Sequence, residues 1–409
     1  IEAYVKGAVN RPLVVYGPSG CGKTALVAHC AERLSSTGSD IGGIIVRRFI
    51  GATAGASDLR DLLPNMCMEI GQRYGQDPTP SVDDPAAIAD GFAETLRLAT
   101  RRSPLILFLD ALDQLSQNDD AHSLKWLPRK LPPHVRVIVS ALERDDLAGR
   151  CLRVLSERGQ PDDLLRVPEL GALDGRRLLA AWLRDASRKL QKEQTDYILK
   201  KLVACPTPLY LRLAFEEARQ WPSGATDGHL PEISDSVEGI VNDFLSRLEQ
   251  PEHHSRKLVQ RALGYLAASR NGLAEEELLE ILSRIDPDVL LDFRKASPKS
   301  PATDRLPFVI WSRLRADLSP YLSVRRADQT KLLSFYHRQI GEAIQTRVFG
   351  DGMKGRLHRR LVEFFGEQDN SFDSGALADQ PNYRKASELV FHQMEGGLWP
   401  QAQQTLSDL

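Results

Sequence analysis

LVVYGPSGCGKTALVAHCAERL, residues 13–34, decides the fold. Four residues of high strand propensity, Leu13 to Tyr16, lead into a glycine-rich turn. The turn leads into a segment with apolar residues at Leu26, Val27, Cys30 and Leu34, the spacing of one helix face. Between strand and helix stand Gly17, Pro18, Ser19, Gly20, Cys21, Gly22, Lys23 and Thr24, which match G-x-x-x-x-G-K-[ST] at every defined position. Glycines at 17, 20 and 22 free the backbone to take positive φ and turn successive N–H groups inward, making a concave anion site at a helix N-terminus. These eight residues, with Ala25 behind them, are the expected cradle of a nucleotide's phosphates. Lys23 is expected to reach the β- and γ-phosphates as a point charge, and the Thr24 hydroxyl to be a Mg²⁺ ligand.

A second stretch, PLILFLDALDQL at 104–115, matches the first. Five consecutive apolar residues predict a strand buried on both faces, as parallel sheets require, and the run ends in Asp110. A carboxylate at the end of such a strand is where a Mg²⁺-bound nucleotide needs one. Asp113, three residues on, has two readings: it orients or deprotonates the attacking water, or it caps a following helix. Ala111 is small enough for the backbone to pass close to phosphates. VRVIVSALERD, from Val135, predicts a third buried strand ending at Ser140, whose hydroxyl is placed to feel the γ-phosphate, with Arg144 as the alternative. IGGIIVRRF, 41–49, predicts a further strand; adjacent residues face opposite sides, so only one of Arg47 and Arg48 can look toward a site. A solvated edge arginine plus one structural ion pair is the expectation there.

Helices are expected from Ser57 or Asp58 to about Tyr74, up to about Leu98, and over His122 to Leu131, with a last strand from Leu164. Residues 76–86 read as a proline-rich loop. Strands alternating with helices predict α/β architecture, a doubly wound parallel sheet over 1–170. From Leu173 the pattern turns helical, with a linker by composition at 222–235. His254 to Ser283 reads as helix, turn, helix, and 305–325 as a third helix with wing strands, so 236–350 predicts a winged helix and 171–235 a helical domain. Residues 351–409 read as amphipathic helices that begin a repeat region. Winged helices read DNA through a basic helix, but here the second helix carries Glu275, Glu276, Glu277 and Glu280, which argues against a nucleic-acid partner.

Composition excludes several classes. With 409 residues, two to four domains are expected. Fifty-three basic against 55 acidic residues imply no polyanion partner. Five cysteines without a C-x-x-C pair fit a reducing, cytoplasmic setting. No apolar run is long enough to span a bilayer, so no membrane partner is expected. The first residue is Ile, and the opening IEAYVKGAV reads as helix, which suggests a piece of a longer polypeptide.

The order of phosphate loop, D-x-x-D strand, helical domain with a P-x-P turn, and winged helix resembles the STAND class of signalling NTPases. The nearer likeness is to its NACHT branch, the nucleotide switch of NOD-like immune receptors and bacterial antiphage relatives. The likeness covers nearly the whole chain. In that family a small residue follows the Mg²⁺ aspartate, matched by Ala111, and a second acid comes two places later, matched by Asp113. A turn proline packs on adenine; the resemblance assigns this to Pro208 of Pro206-Thr207-Pro208. FYHRQIGEA, 335–343, is similar to a winged-helix segment whose histidine touches the β-phosphate of ADP, which implies that role for His337. The resemblance implies an ATP- or ADP-binding switch with Mg²⁺ and slow ATP hydrolysis. It further implies ADP at rest, opening and self-association on ATP exchange, and a trigger sensed outside this chain. Immune, antiviral or cell-death signalling would be the setting. The chain departs from the family at Gln114, where a further acid is common, and after Ser140, where Ala-Leu-Glu-Arg replaces Thr-Ser-Arg or similar.

Overall fold

The structure, a computed structural model, describes residues 1–36, 43–51, 56–76, 84–222, 230–299, 303–350, 352–371 and 381–408. The start of the strand expected from Ile41, most of the 76–86 loop and the centre of the 222–235 linker lie outside these residues. The chain divides into two compact units, one of Ile1–Leu170 with Thr207–Leu209 and one of Gly171–Pro206 with Tyr210–Leu409.

The first unit is a parallel sheet of β1 (Leu13–Gly17), β2 (Ile44–Phe49), β3 (Leu105–Asp110), β4 (Val135–Leu142) and β5 (Leu164–Arg166), in the spatial order β2-β3-β4-β1-β5. Its helices are α1 (Glu2–Lys6), α2 (Lys23–Ser36), α3 (Leu59–Arg73), α4 (Pro85–Leu96) and α5 (Arg150–Arg158). Alternation along each strand explains the continuous apolar runs. Val14, Val46, Leu107, Leu109, Val137 and Val139 pack to one face with α3, α4 and α5, while Val15, Ile106, Phe108 and Ile138 pack to the other with α2. Phe108 is fully buried, a side chain whose removal from water contributes roughly 2–3 kcal/mol. Of the two starts expected for α3, Asp58 is the cap, accepting from Arg60 N. Asp84, which the sequence reading did not single out, caps α4 by accepting from Ala86 N and Ala87 N.

One local expectation fails. His122 to Leu131 is not a helix: a 3-10 stretch, Asn118–Ser123, contains Asp119 and Asp120 at φ 53° and 52° and ends at Leu124, itself left-handed. Leu124, Trp126 and Leu127 are buried against the sheet, so their apolar character serves the core rather than a helix face. Conversely α5, unmarked in the sequence reading, buries Cys151 and Leu155.

The second unit holds α6 (Ala172–Asp185), α7 (Lys192–Leu202), α8 (Pro208–Ala218), α9 (Val237–Leu248), α10 (Arg256–Ala268), α11 (Glu275–Glu280), α12 (Pro287–Ala296) and α13 (Phe308–Leu318). The antiparallel hairpin β6 (Leu322–Ala327) and β7 (Thr330–Phe335) comes next, then α14 (Arg338–Val348), α15 (Met353–Gly366), α16 (Tyr383–Glu395) and α17 (Trp399–Ser407). The first two residues of α8 group with the first unit. α10, α11, α13 and the hairpin follow one another in the order helix, helix, helix, hairpin, with α12 between α11 and α13, and Leu273, between α10 and α11, makes an isolated antiparallel bridge to Leu333 of β7. α12 is a helix that the sequence reading did not mark. A parallel α/β core followed by an extended, mainly helical region is the architecture the hydrophobic patterning predicts.

A buried polar network ties α16 to α11 and to the β6–β7 turn. Arg384 donates to Glu277 on α11, to Asp328 in the β6–β7 turn, to Glu388 and to the Gly272 carbonyl. Glu388 also accepts the backbone N–H groups of Arg270 and Asn271, and lies 3.0 Å from His392 Nε2. His392 Nδ1 is 2.9 Å from His358 Nδ1 on α15. Burial and the neighbouring His392 push His358 down from 6.5 to about 4, with Lys354 in the same direction and Glu395 and Glu388 opposed. Burial alone would raise Glu388, but the His392 hydrogen bond and the Arg384 charge bring it down to about 2.

A folded state in which His358 stays neutral binds fewer protons than the unfolded chain between its two pKa values. Stability is therefore complete above about pH 6.5 and is lost as pH falls toward about 4, by on the order of 3 kcal/mol at most. Glu388 adds a second loss, below its ordinary 4.5 and down to about 2. Urea midpoints from pH 7.5 to 4 should fall steeply for the native chain and much less for His358→Gln; parallel slopes would assign the acid sensitivity elsewhere.

Candidate functional site

The site lies at the carboxyl ends of β1, β3 and β4. Gly20 and Gly22 have φ of 78° and 98°, values that an L side chain rarely adopts, so the loop curls as expected. Gly17 does not share this: its φ of 159° is close to extended. α2 begins at Lys23, directing the free N–H groups of its first turn toward the loop. Lys23 Nζ donates to the carbonyls of Gly17 and Pro18, both at 2.9 Å, and so folds back over the loop. Cys21 is buried beneath, while Thr24 and Ala25 are exposed at the start of α2. Pro18 and Ser19 are half-buried in the loop's outer turn.

Asp110, 2% exposed, ends β3. Burial raises its carboxyl above the ordinary carboxylate range, opposed by hydrogen bonds from Ser140 and Thr24 and by the charge of Lys23. The loop's hydroxyl and the strand's carboxylate thus meet, although β4 stands between β1 and β3. Two hard oxygen donors side by side fit Mg²⁺, which takes one or two protein oxygens and completes its shell with phosphate and water. Among the described residues no group of three or more His, Cys, Asp or Glu could hold a metal by itself.

Ser140 departs from its sequence reading. β4 continues to Leu142, so Ser140 does not end the strand; its buried hydroxyl donates to Asp110 Oδ1 at 2.6 Å and accepts from Ala111 N at 2.7 Å. Ala111 sits at φ 61°, turning the chain sharply after Asp110. Asp113 lies in the 3-10 turn Leu112–Gln114, and neither this turn nor the next, Asn118–Ser123, takes it as N-cap. The capping alternative for Asp113 therefore falls away. Arg144 pairs with Asp146 at 2.6 Å in solvent. On the edge strand β2, Arg47 is exposed and Arg48 pairs with Glu69 at 2.6 Å, as expected of an edge arginine and a structural ion pair.

Pro208 belongs to the same cluster. Its Cγ is 3.8 Å from where a Cβ on Gly22 would lie, and Leu209 N donates to the Gly20 carbonyl at 3.3 Å. This backbone bond escapes sequence reading, because an amide carries no residue signature. His337 lies in the second unit, where its Nδ1 accepts from Gln339 N at 3.2 Å as the N-cap of α14.

The family described as AAA ATPase domain matches residues 1–140. The chain carries an AAA-like P-loop NTPase domain. It is 32% identical over 422 residues to NACHT domain- and WD repeat-containing protein 1 of Homo sapiens, an alignment covering 95% of this chain and 26% of that protein. It is 31% identical over 369 residues to NACHT and WD repeat domain-containing protein 2 of Homo sapiens, covering 88% of this chain and 20% of that protein. The NTPase domain and the helical region after it are thus related to NACHT proteins at modest identity, and span about a quarter or less of the length of these relatives. Among solved structures, the Aeropyrum pernix ORC1 protein in complex with DNA aligns with a TM-score of 0.38 and 14% identity, over 87% of this chain and 90% of that one. Among the described residues no helix is long and apolar enough to cross a membrane.

Proposed function

We propose that this chain is an ATP/ADP-operated signalling switch of the STAND/NACHT type. ADP with Mg²⁺ on Thr24 and Asp110 is the resting state, and ATP exchange opens the chain for self-association. Lys23 neutralises the phosphates, Asp113 orients the attacking water in a slow hydrolysis, and Pro208 flanks the base. The four-part division at 170, 235 and 350, a cytoplasmic location, a trigger sensed outside this chain and an output in immune, antiviral or cell-death signalling belong to the same reading. The observation that most supports it is the placement of Pro208 and Leu209 on the phosphate loop. They open α8, so the chain runs from the loop contact straight into the helical region. Such a switch needs only a few kcal/mol of differential affinity to keep its open form rare.

The test begins with the nucleotide released on denaturing freshly purified protein. Near-stoichiometric ADP that resists dialysis is expected; an empty site that turns over added ATP rapidly would replace the switch with a working ATPase. The second step separates two roles of His337, whose capping is worth about 1 kcal/mol. His337→Asn keeps a good cap and loses the imidazole. It should lose its ADP and self-associate as readily as His337→Ala, whereas ADP retention by His337→Asn would reduce the histidine to a cap.

A further inference from the structure

We infer that Ser140 is a positioning residue that aims Asp110 at the metal, and that it does not read the γ-phosphate. This rests on the nucleotide-site reading above. Ser140 pairs in register with Val15 of β1, and its neighbour Val139 with Leu109 of β3, so the strand inserted between β1 and β3 carries the hydroxyl to the end of β3. The side chain is fully buried. A serine hydroxyl has one proton, and this one goes to Asp110 Oδ1 at 2.6 Å. Phosphate oxygens accept hydrogen bonds, so while the Asp110 bond stands Ser140 has no proton to offer a γ-phosphate. One of its lone pairs is engaged as well, by Ala111 N at 2.7 Å. That second bond fixes the left-handed turn at Ala111, and with it the direction in which the chain leaves Asp110 toward Asp113. One hydroxyl thus holds both the carboxylate and the peptide behind it.

The experiment is equilibrium binding of a fluorescent ADP and a fluorescent non-hydrolysable ATP analogue to the full chain, in EDTA and across a Mg²⁺ titration. Groups that orient a metal ligand typically change metal affinity by about 10–100-fold when lost. Ser140→Ala should keep its metal-free ADP affinity within about twofold of the native chain and need about tenfold more Mg²⁺, equally for both nucleotides. Ser140→Thr, which keeps the hydroxyl, should restore the native Mg²⁺ requirement. Ser140→Cys, nearly the same volume with a weak donor, should shift in the same direction as alanine and carries the test if the alanine variant does not fold. A loss of affinity confined to the ATP analogue would overturn the inference in favour of a phosphate sensor, and an unchanged Mg²⁺ requirement would overturn it outright. Failure of the native chain to bind either nucleotide would overturn the site reading itself, and this inference with it.

Discussion

Lys23→Ala is expected to abolish nucleotide binding at micromolar concentrations while leaving the fold intact. Lys23 Nζ bonds to the Gly17 and Pro18 carbonyls and to the edge of Cys21, all within the loop, so truncation opens no core cavity. On binding a nucleotide the ammonium would exchange these carbonyl bonds for charge-assisted bonds to phosphate oxygens, each contributing about 1.5–3 kcal/mol. Losing two such bonds weakens affinity by about a hundredfold or more. The measurement is titration with fluorescent ADP, alongside a urea unfolding curve. A dissociation constant within about threefold of the native value would mean that the glycine loop does not hold the phosphates.

How far the sequence could be read depends on where the determining forces act. The phosphate loop was legible because Gly20 and Gly22 answer a local backbone demand, and β3 because burial on both faces demands a continuous apolar run. The insertion of β4 between β1 and β3 was not, because strand order is fixed by pairing between segments far apart in the chain. That one fact changes the reading of Ser140 from a group facing the nucleotide to a group facing Asp110. The helix expected over His122 to Leu131 failed for a related reason. Leu124 and Trp126 answer to the core beneath them, and the left-handed Leu124 breaks the period that an isolated helix would keep. Arg384, Glu388 and His392 look in sequence like an ordinary solvated helix face, and His358 stands on the helix before it. Only the fold brings Glu277 and Gly272 to them from more than a hundred residues away.

Arg384→Ala should produce the largest loss of stability in the second unit. The guanidinium side chain is 6% exposed, and it faces Glu277, Asp328 and Glu388, whose side chains are 13%, 9% and 0% exposed. Its burial strongly disfavours the charge, yet the three carboxylates hold it fully protonated, raised above the ordinary arginine value. Replacing a buried ion cluster with well-packed apolar residues can be neutral, but removing only the cation leaves three largely buried carboxylates without their counter-charge. Such removals cost about 3–5 kcal/mol. The proper contrast is Arg284→Ala, which breaks a 2.6 Å pair with Glu367 whose two side chains are each 50% exposed. There solvent already screens the charges, and the expected change is about 0–1 kcal/mol. Both variants should be compared by urea unfolding and by hydrogen exchange of α11, α16 and the β6–β7 turn. Because Arg384 joins these three elements, its removal should raise exchange in all of them together. Loss confined to α16 would mean that α11 and the β6–β7 turn hold their arrangement without it, and a change equal to that of Arg284→Ala would mean that water reaches the cluster.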